Sequence, residues 1–66
     1  MSKQTTGSVL KEARIRLGLT QQELADKAGI HPNTYAKIER SEQEPSFDTV
    51  KRLANVLKLK LEDIPS

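Results

Sequence analysis

The 66-residue chain contains no cysteine, so neither a disulfide nor a thiolate metal site can staple a fold this small. Helix packing or self-association must do that work. There is one histidine, His31, and it has no partner ligands nearby in the sequence. A Gly-rich phosphate loop is missing too, so the usual nucleophile, base and metal arrangements of an enzyme cannot be assembled. No enzymatic activity, cofactor or metal is expected. No apolar run approaches the roughly 20 residues of a membrane span, and the N-terminus lacks the apolar core of a signal peptide. The expectation is a soluble, cytoplasmic protein. Period-2 alternation, repeats and low-complexity tracts are also absent, which removes sheet and solenoid architectures.

What is present is 35% hydrophobic content, enough for one core and no second domain. The net charge of +2 is too small to imply a nucleic-acid partner by itself. Its distribution says more. Residues 1–18 carry Lys3, Lys11, Arg14 and Arg16 against Glu12 alone, residues 19–40 balance, and residues 41–66 carry one excess negative charge. The N-terminal end is the positive pole.

Residues 1–7 read as a flexible polar lead and residues 8–66 as one all-α domain. Ser8 is the expected cap of a first helix with the stripe Leu10, Ala13 and Leu17, ended by a left-handed Gly18. Thr20 and Glu23 make a capping box for QQELADKA, which Gly29 terminates. Pro32 suits the first position of a third helix, where its missing N–H is no loss, and this leaves His31 as an unusual N-cap. After the linker SEQEP, Ser46 caps FDTVKRLANVL, with Asp48 in its first turn and Phe47, Val50, Leu53, Ala54 and Leu57 along one face. A last turn, LEDI, offers Leu61 and Ile64.

The third helix has two different sides. At about 100° per residue, Lys37 lies about 40° and Arg40 about 20° from Asn33, while Ile38 and Tyr35 fall near 140° and 200°. Asn can bond an adenine edge through both amide groups and Lys can donate to guanine or phosphate, so the i, i+4 pair suits a major groove. Any surface helix has a polar face as well. Arg14 sits about 40° from Leu10, at the edge of the first apolar stripe, where its guanidinium needs a partner. Glu39, towards the inner side of the third helix, is the natural candidate for a partly buried pair that fixes where two helices meet. Gln21 opens the second helix, whose free N–H groups can take a phosphate. Ala25 and Ala28 permit the close helix approach that a tight turn at Gly29 requires, and together these short helices read as a helix-turn-helix.

From Thr20 to Leu57, TQQELADKAGIHPNTYAKIERSEQEPSFDTVKRLANVL closely resembles the XRE family, the Cro-like and lambda-repressor-like helix-turn-helix regulators, and the likeness extends over Leu10 to Ile64. The resemblance implies a compact five-helix fold with the helix-turn-helix at helices 2 and 3, and a third helix in the major groove of operator DNA. Carried over by position, it implies base contacts from Pro32, Asn33, Thr34 and Lys37. It also implies phosphate contacts from Gln21, His31, Arg40 and Ser41, and a structural ion pair between Arg14 and Glu39. His31 stands where Ser or Thr usually caps helix 3, and the imidazole is a candidate phosphate contact that would strengthen as pH falls. Pro32 offers only apolar contact, for example to a thymine methyl. Ser41 and Lys58 replace glycines, and Glu42 and Glu44 place acid near the DNA side, which limits nonspecific affinity.

The implied function is sequence-specific DNA binding by a transcriptional regulator, a repressor on a palindromic operator. Two such units must stand about 34 to 36 Å apart to read adjacent turns, which favours a homodimer. Leu59, Leu61 and Ile64 are its interface candidates, with closure of the monomer's own core as their other role. Rival readings of the same fold are an antitoxin or a restriction-modification controller, with a toxin, an antirepressor or RNA polymerase as protein partner. A protein-interaction module that has lost DNA binding is a further one.

Overall fold

The computed structural model describes residues 4–65, and all regular structure among them is helical. Four α-helices, α1 (Thr6–Arg16), α2 (Gln21–Ala28), α3 (Pro32–Glu39) and α4 (Phe47–Leu57), are followed by a 3-10 turn, Leu61–Asp63. The fifth helix expected from LEDI is therefore only this turn. Ile64 is extended at φ −101°, ψ 124°, as the residue before a proline prefers, and no further helical turn can be added.

Local chemistry accounts for the boundaries. Thr20 accepts from the Glu23 amide at 3.0 Å while Glu23 accepts from the Thr20 amide at 2.8 Å, closing the expected capping box. Ser46 caps α4 by accepting from the Thr49 amide at 3.2 Å. At the other end, α1 departs from expectation. Thr5, not Ser8, is the N-cap, and the Ser8 amide is the group it satisfies at 3.1 Å. The reason lies in Gly7, which is buried where a Cβ would collide with the backbone carbonyls of Ile38 and Glu39. Only a residue without a side chain lets this extra turn lie against the end of α3. α1 thus begins at Thr6 and includes Gly7, and residues 1–3 of the expected lead lie outside the described residues. Thr6 Oγ1 also donates to the Pro65 carbonyl at 3.0 Å, joining the two ends of the described chain.

The core is shared by all four helices: Leu10 and Ala13, Leu24, Ala25 and Ala28, Tyr35 and Ile38, Leu53 and Leu57. α1 and α2 each pack on both α3 and α4. Leu19, Ile30, Val56, Leu59 and Ile64 cover its edge. Val50, expected on the same face of α4, is half-buried in a groove outside the core cluster, and two further expected members are exposed. Leu17 is 45% exposed, because it is already the C-cap where the chain leaves α1, and Leu19 takes its place against the core. Phe47 is 69% exposed at the first position of α4, with the Lys51 ammonium 5.6 Å from its ring centroid.

Candidate nucleic-acid interface

The turn between α2 and α3 sets the site. Gly29 is left-handed at φ 74°, so the Ile30 amide can return to the Ala25 carbonyl at 2.9 Å and the half-buried Ile30 anchors the turn on the core. His31 then caps α3 by accepting the Asn33 amide on Nδ1 at 3.1 Å. An accepting Nδ1 leaves Nε2 as the ring nitrogen that faces away from the cap.

On α3, Tyr35 and Ile38 are fully buried while Asn33 and Lys37 are exposed, with Pro32 and Thr34 half-buried beside them. The helix is anchored from within and presents an amide and an ammonium outward, one helical turn apart.

The last residue of α3, Glu39, is a hub. Its carboxylate accepts from Arg14 Nε at 2.6 Å and Nη2 at 3.4 Å, from Gln21 Nε2 at 3.0 Å, and from the Tyr35 hydroxyl. Arg14 Nη1 also donates to the Leu19 carbonyl at 2.7 Å. The side chains of Arg14 and Glu39 are only 13% and 4% exposed. Burial alone would push the Glu39 carboxyl up, but the hydrogen bonds from Arg14, Tyr35 and Gln21 outweigh it and hold it below the ordinary carboxylate range. Burial, followed by the bond to Glu39, drives the Tyr35 phenol far up. The Glu39 bond raises Arg14 as well. The Glu39 carboxylate thereby ties together α1, the head of α2 and the end of α3, and Arg14 extends the hub to the turn after α1.

This hub redefines Gln21. A carboxylate only accepts, so the side of the amide facing Glu39 must be NH2. One amide hydrogen is thus used internally, and the other, with the free N–H groups at the head of α2, is what remains for a phosphate.

Beyond α3 the chain reverses at Ser41, left-handed at φ 62°, and the Glu42 amide returns to the Lys37 carbonyl at 2.8 Å. That reversal brings together Arg40 and Glu42, two residues apart: Arg40 Nε and Nη2 donate to the Glu42 carboxylate at 2.9 and 3.2 Å. The Arg40 hydrogen bond holds the Glu42 carboxyl below its ordinary value, and nearby Lys37 acts in the same direction. Arg40, expected at a phosphate, is occupied by a neighbour. Residues at i and i+2 do not share a helix face, so no helical wheel reveals this pair. The i, i+4 spacing of Tyr35 and Glu39, by contrast, was a readable signal for their contact. Leu59 and Ile64 are half-buried against the core, and Leu61 is 43% exposed beside an apolar groove that includes Pro45, Phe47 and Val50.

Comparison with known proteins agrees with this architecture. A family profile described as helix-turn-helix matches residues 10–64. The transcriptional regulator ImmR of Bacillus subtilis is 42% identical over 50 residues, covering 76% of this chain and 39% of ImmR, so the chain spans about two fifths of that relative's length. SinR of the same organism, solved in complex with DNA, superposes with a TM-score of 0.84 at 30% identity, covering 88% of this chain and 94% of that one. The restriction-modification controller C.AhdI of Aeromonas hydrophila gives a TM-score of 0.81 at 29% identity, over 83% of each chain. With its capped α2, left-handed Gly29 and core-anchored α3, the chain belongs to the XRE-type helix-turn-helix family.

Proposed function

We propose that this protein is a sequence-specific DNA-binding transcriptional regulator of the cytoplasm, a repressor that binds a palindromic operator as a homodimer with one α3 in each half-site. The observation that carries the reading is the division of α3, whose Tyr35 and Ile38 are locked in the core while Asn33 and Lys37 are exposed on the other side. In this reading Pro32, Asn33 and Lys37 face base edges, with Thr34 at the margin. Gln21, His31, Arg40 and Ser41 then position the helix through phosphates, which fix register without reading sequence. The solved SinR complex with DNA supports it. Leu59, Leu61 and Ile64 are the proposed dimer contacts, Leu61 being the most exposed of the three.

Selection of bound sequences from a random duplex pool tests this directly. Enrichment of a palindrome with half-sites about one helical turn apart, and affinity falling steeply with salt, is the expected result. No enrichment and a flat salt dependence would overturn it. On the selected operator, Asn33→Ala should cost about 1 to 3 kcal/mol and on random DNA very little, whereas Gln21→Ala should weaken both. Equal losses for Asn33→Ala on the two duplexes would remove it from the readers. The likeness to C.AhdI favours a second reading, control of a restriction-modification operon. The identity of the neighbouring genes separates the two.

A further inference from the structure

We infer that Glu42 is an internal stand-in for a DNA phosphate: it occupies the guanidinium of Arg40 and so holds down the affinity of the interface for any duplex. The inference rests on the proposed DNA binding and adds to it a residue that opposes binding. Arg40 offers Nε and Nη2 to the two carboxylate oxygens at 2.9 and 3.2 Å. Arginine uses this same fork to grip two phosphate oxygens. A carboxylate in the fork therefore takes the place a phosphate would take.

Three features make this competition and not a fixed brace. The side chains of Arg40 and Glu42 are 55% and 54% exposed, so solvent already screens the pair and its loss leaves no buried charge. The pair lies directly after α3, next to Lys37, whose carbonyl receives the Glu42 amide at 2.8 Å. The backbone also fixes the meeting, because the left-handed Ser41 turns residues 40 and 42 to the same side. When duplex approaches, Arg40 must leave Glu42 for a phosphate, and the bonds of the pair are given up. The cost falls on every sequence alike, since phosphates carry no sequence information.

The test is a set of titrations of a random-sequence duplex at several salt concentrations, using the full chain and the variants Glu42→Gln, Glu44→Gln, Arg40→Ala and the Arg40→Ala, Glu42→Gln pair. Glu42→Gln is expected to tighten binding by about three- to eightfold per protomer at 0.1 M salt, and to steepen the slope of log K against log salt by up to about 0.9 per protomer, because Arg40 is then neutralised by the phosphate alone. In the Arg40→Ala background the same substitution should add little. Glu44→Gln changes the net charge identically outside the pair and should have the smaller effect. Unchanged or weaker binding by Glu42→Gln overturns the inference, and so does an equal gain from Glu44→Gln or a full gain without Arg40. A parent chain that binds no duplex at any salt removes the proposed function itself, which is a different outcome from binding that ignores residue 42.

Discussion

Glu39 and Glu42 stand three residues apart, and each accepts an arginine through the same two nitrogens, Nε and Nη2. Their surroundings differ. The Arg14 and Glu39 side chains are 13% and 4% exposed and share the carboxylate with Tyr35 and Gln21, while those of Arg40 and Glu42 are 55% and 54% exposed. The first pair is part of the fold's geometry and the second is available for exchange. Solvent access, and not the fork itself, decides which role an ion pair takes, because only the buried pair leaves an uncompensated charge when broken.

The sharpest way to break this comparison is Glu39→Ala. It leaves the Arg14 guanidinium, the Tyr35 hydroxyl and one Gln21 hydrogen without their acceptor, and the expected loss is about 3 to 5 kcal/mol. For a 66-residue domain without staples, that is close to the whole stability a single core supplies. Urea unfolding measured by circular dichroism checks it, and a midpoint near the parent's would show that the hub is not structural. The pH dependence carries the same signature. The Glu39 carboxyl lies below its ordinary 4.5 in the fold, so its stabilisation is complete above that value and is lost as pH falls through the folded-state value. The gap between the parent and Glu39→Gln should therefore narrow on the acid side and stay constant from about pH 6 to 8.

A second test attacks the backbone beside the hub. Propensity alone predicts that Gly7→Ala stabilises α1 by about 0.5 to 1 kcal/mol. The Ile38 and Glu39 carbonyls against Gly7 predict the reverse, a loss of about 1 to 3 kcal/mol, since α1 must move away from the end of α3. Because the two accounts differ in sign, a single thermal melt of Gly7→Ala decides between them.

A smaller effect of opposite sign is expected at the two non-glycine residues that are left-handed among the described residues, Ser41 at φ 62° and Lys58 at φ 59°. Lys58 ends α4 with its amide on the Asn55 carbonyl at 3.3 Å. A left-handed conformation costs an L-residue about 1 to 2 kcal/mol, and glycine gives back about half of that in chain entropy. Lys58→Gly should therefore raise stability by about 0.5 to 1 kcal/mol in the same urea assay. Destabilisation would mean that the lysine side chain makes a contact worth more than the strain.

These cases also show what the sequence made legible. Capping residues act within four positions of themselves, so Thr20, Gly29, His31, Pro32 and Ser46 marked their helix ends correctly. Arg14 and Glu39 were readable as a pair because each sits at the boundary of an apolar stripe, where a charge needs a partner. Gly7 was not readable, since its reason is a close approach to Ile38 and Glu39, distant in the chain. Leu17 and Phe47 misled for a related cause: both fall on an apolar wheel, but the helix stops before one and has barely begun at the other. The occupant of Arg40 was hidden because the wheel ends at Glu39, and beyond it the left-handed Ser41 redirects the chain.

The smallest expected effect is also the one that separates the two pairs most cleanly. Glu42→Gln and Arg40→Ala each break an ion pair whose members water can reach, and neither leaves a buried charge behind. Both variants should unfold at the parent's midpoint in urea at neutral pH, yet they should move duplex affinity in opposite directions, Glu42→Gln tightening it and Arg40→Ala weakening it. The corresponding changes at Glu39 and Arg14 must first disturb the fold, so any loss of binding there is inseparable from loss of structure. If breaking the outer pair lowered stability as much as breaking the inner one, exposure would not be what distinguishes them, and Arg40 would be a structural residue with no freedom to meet a phosphate.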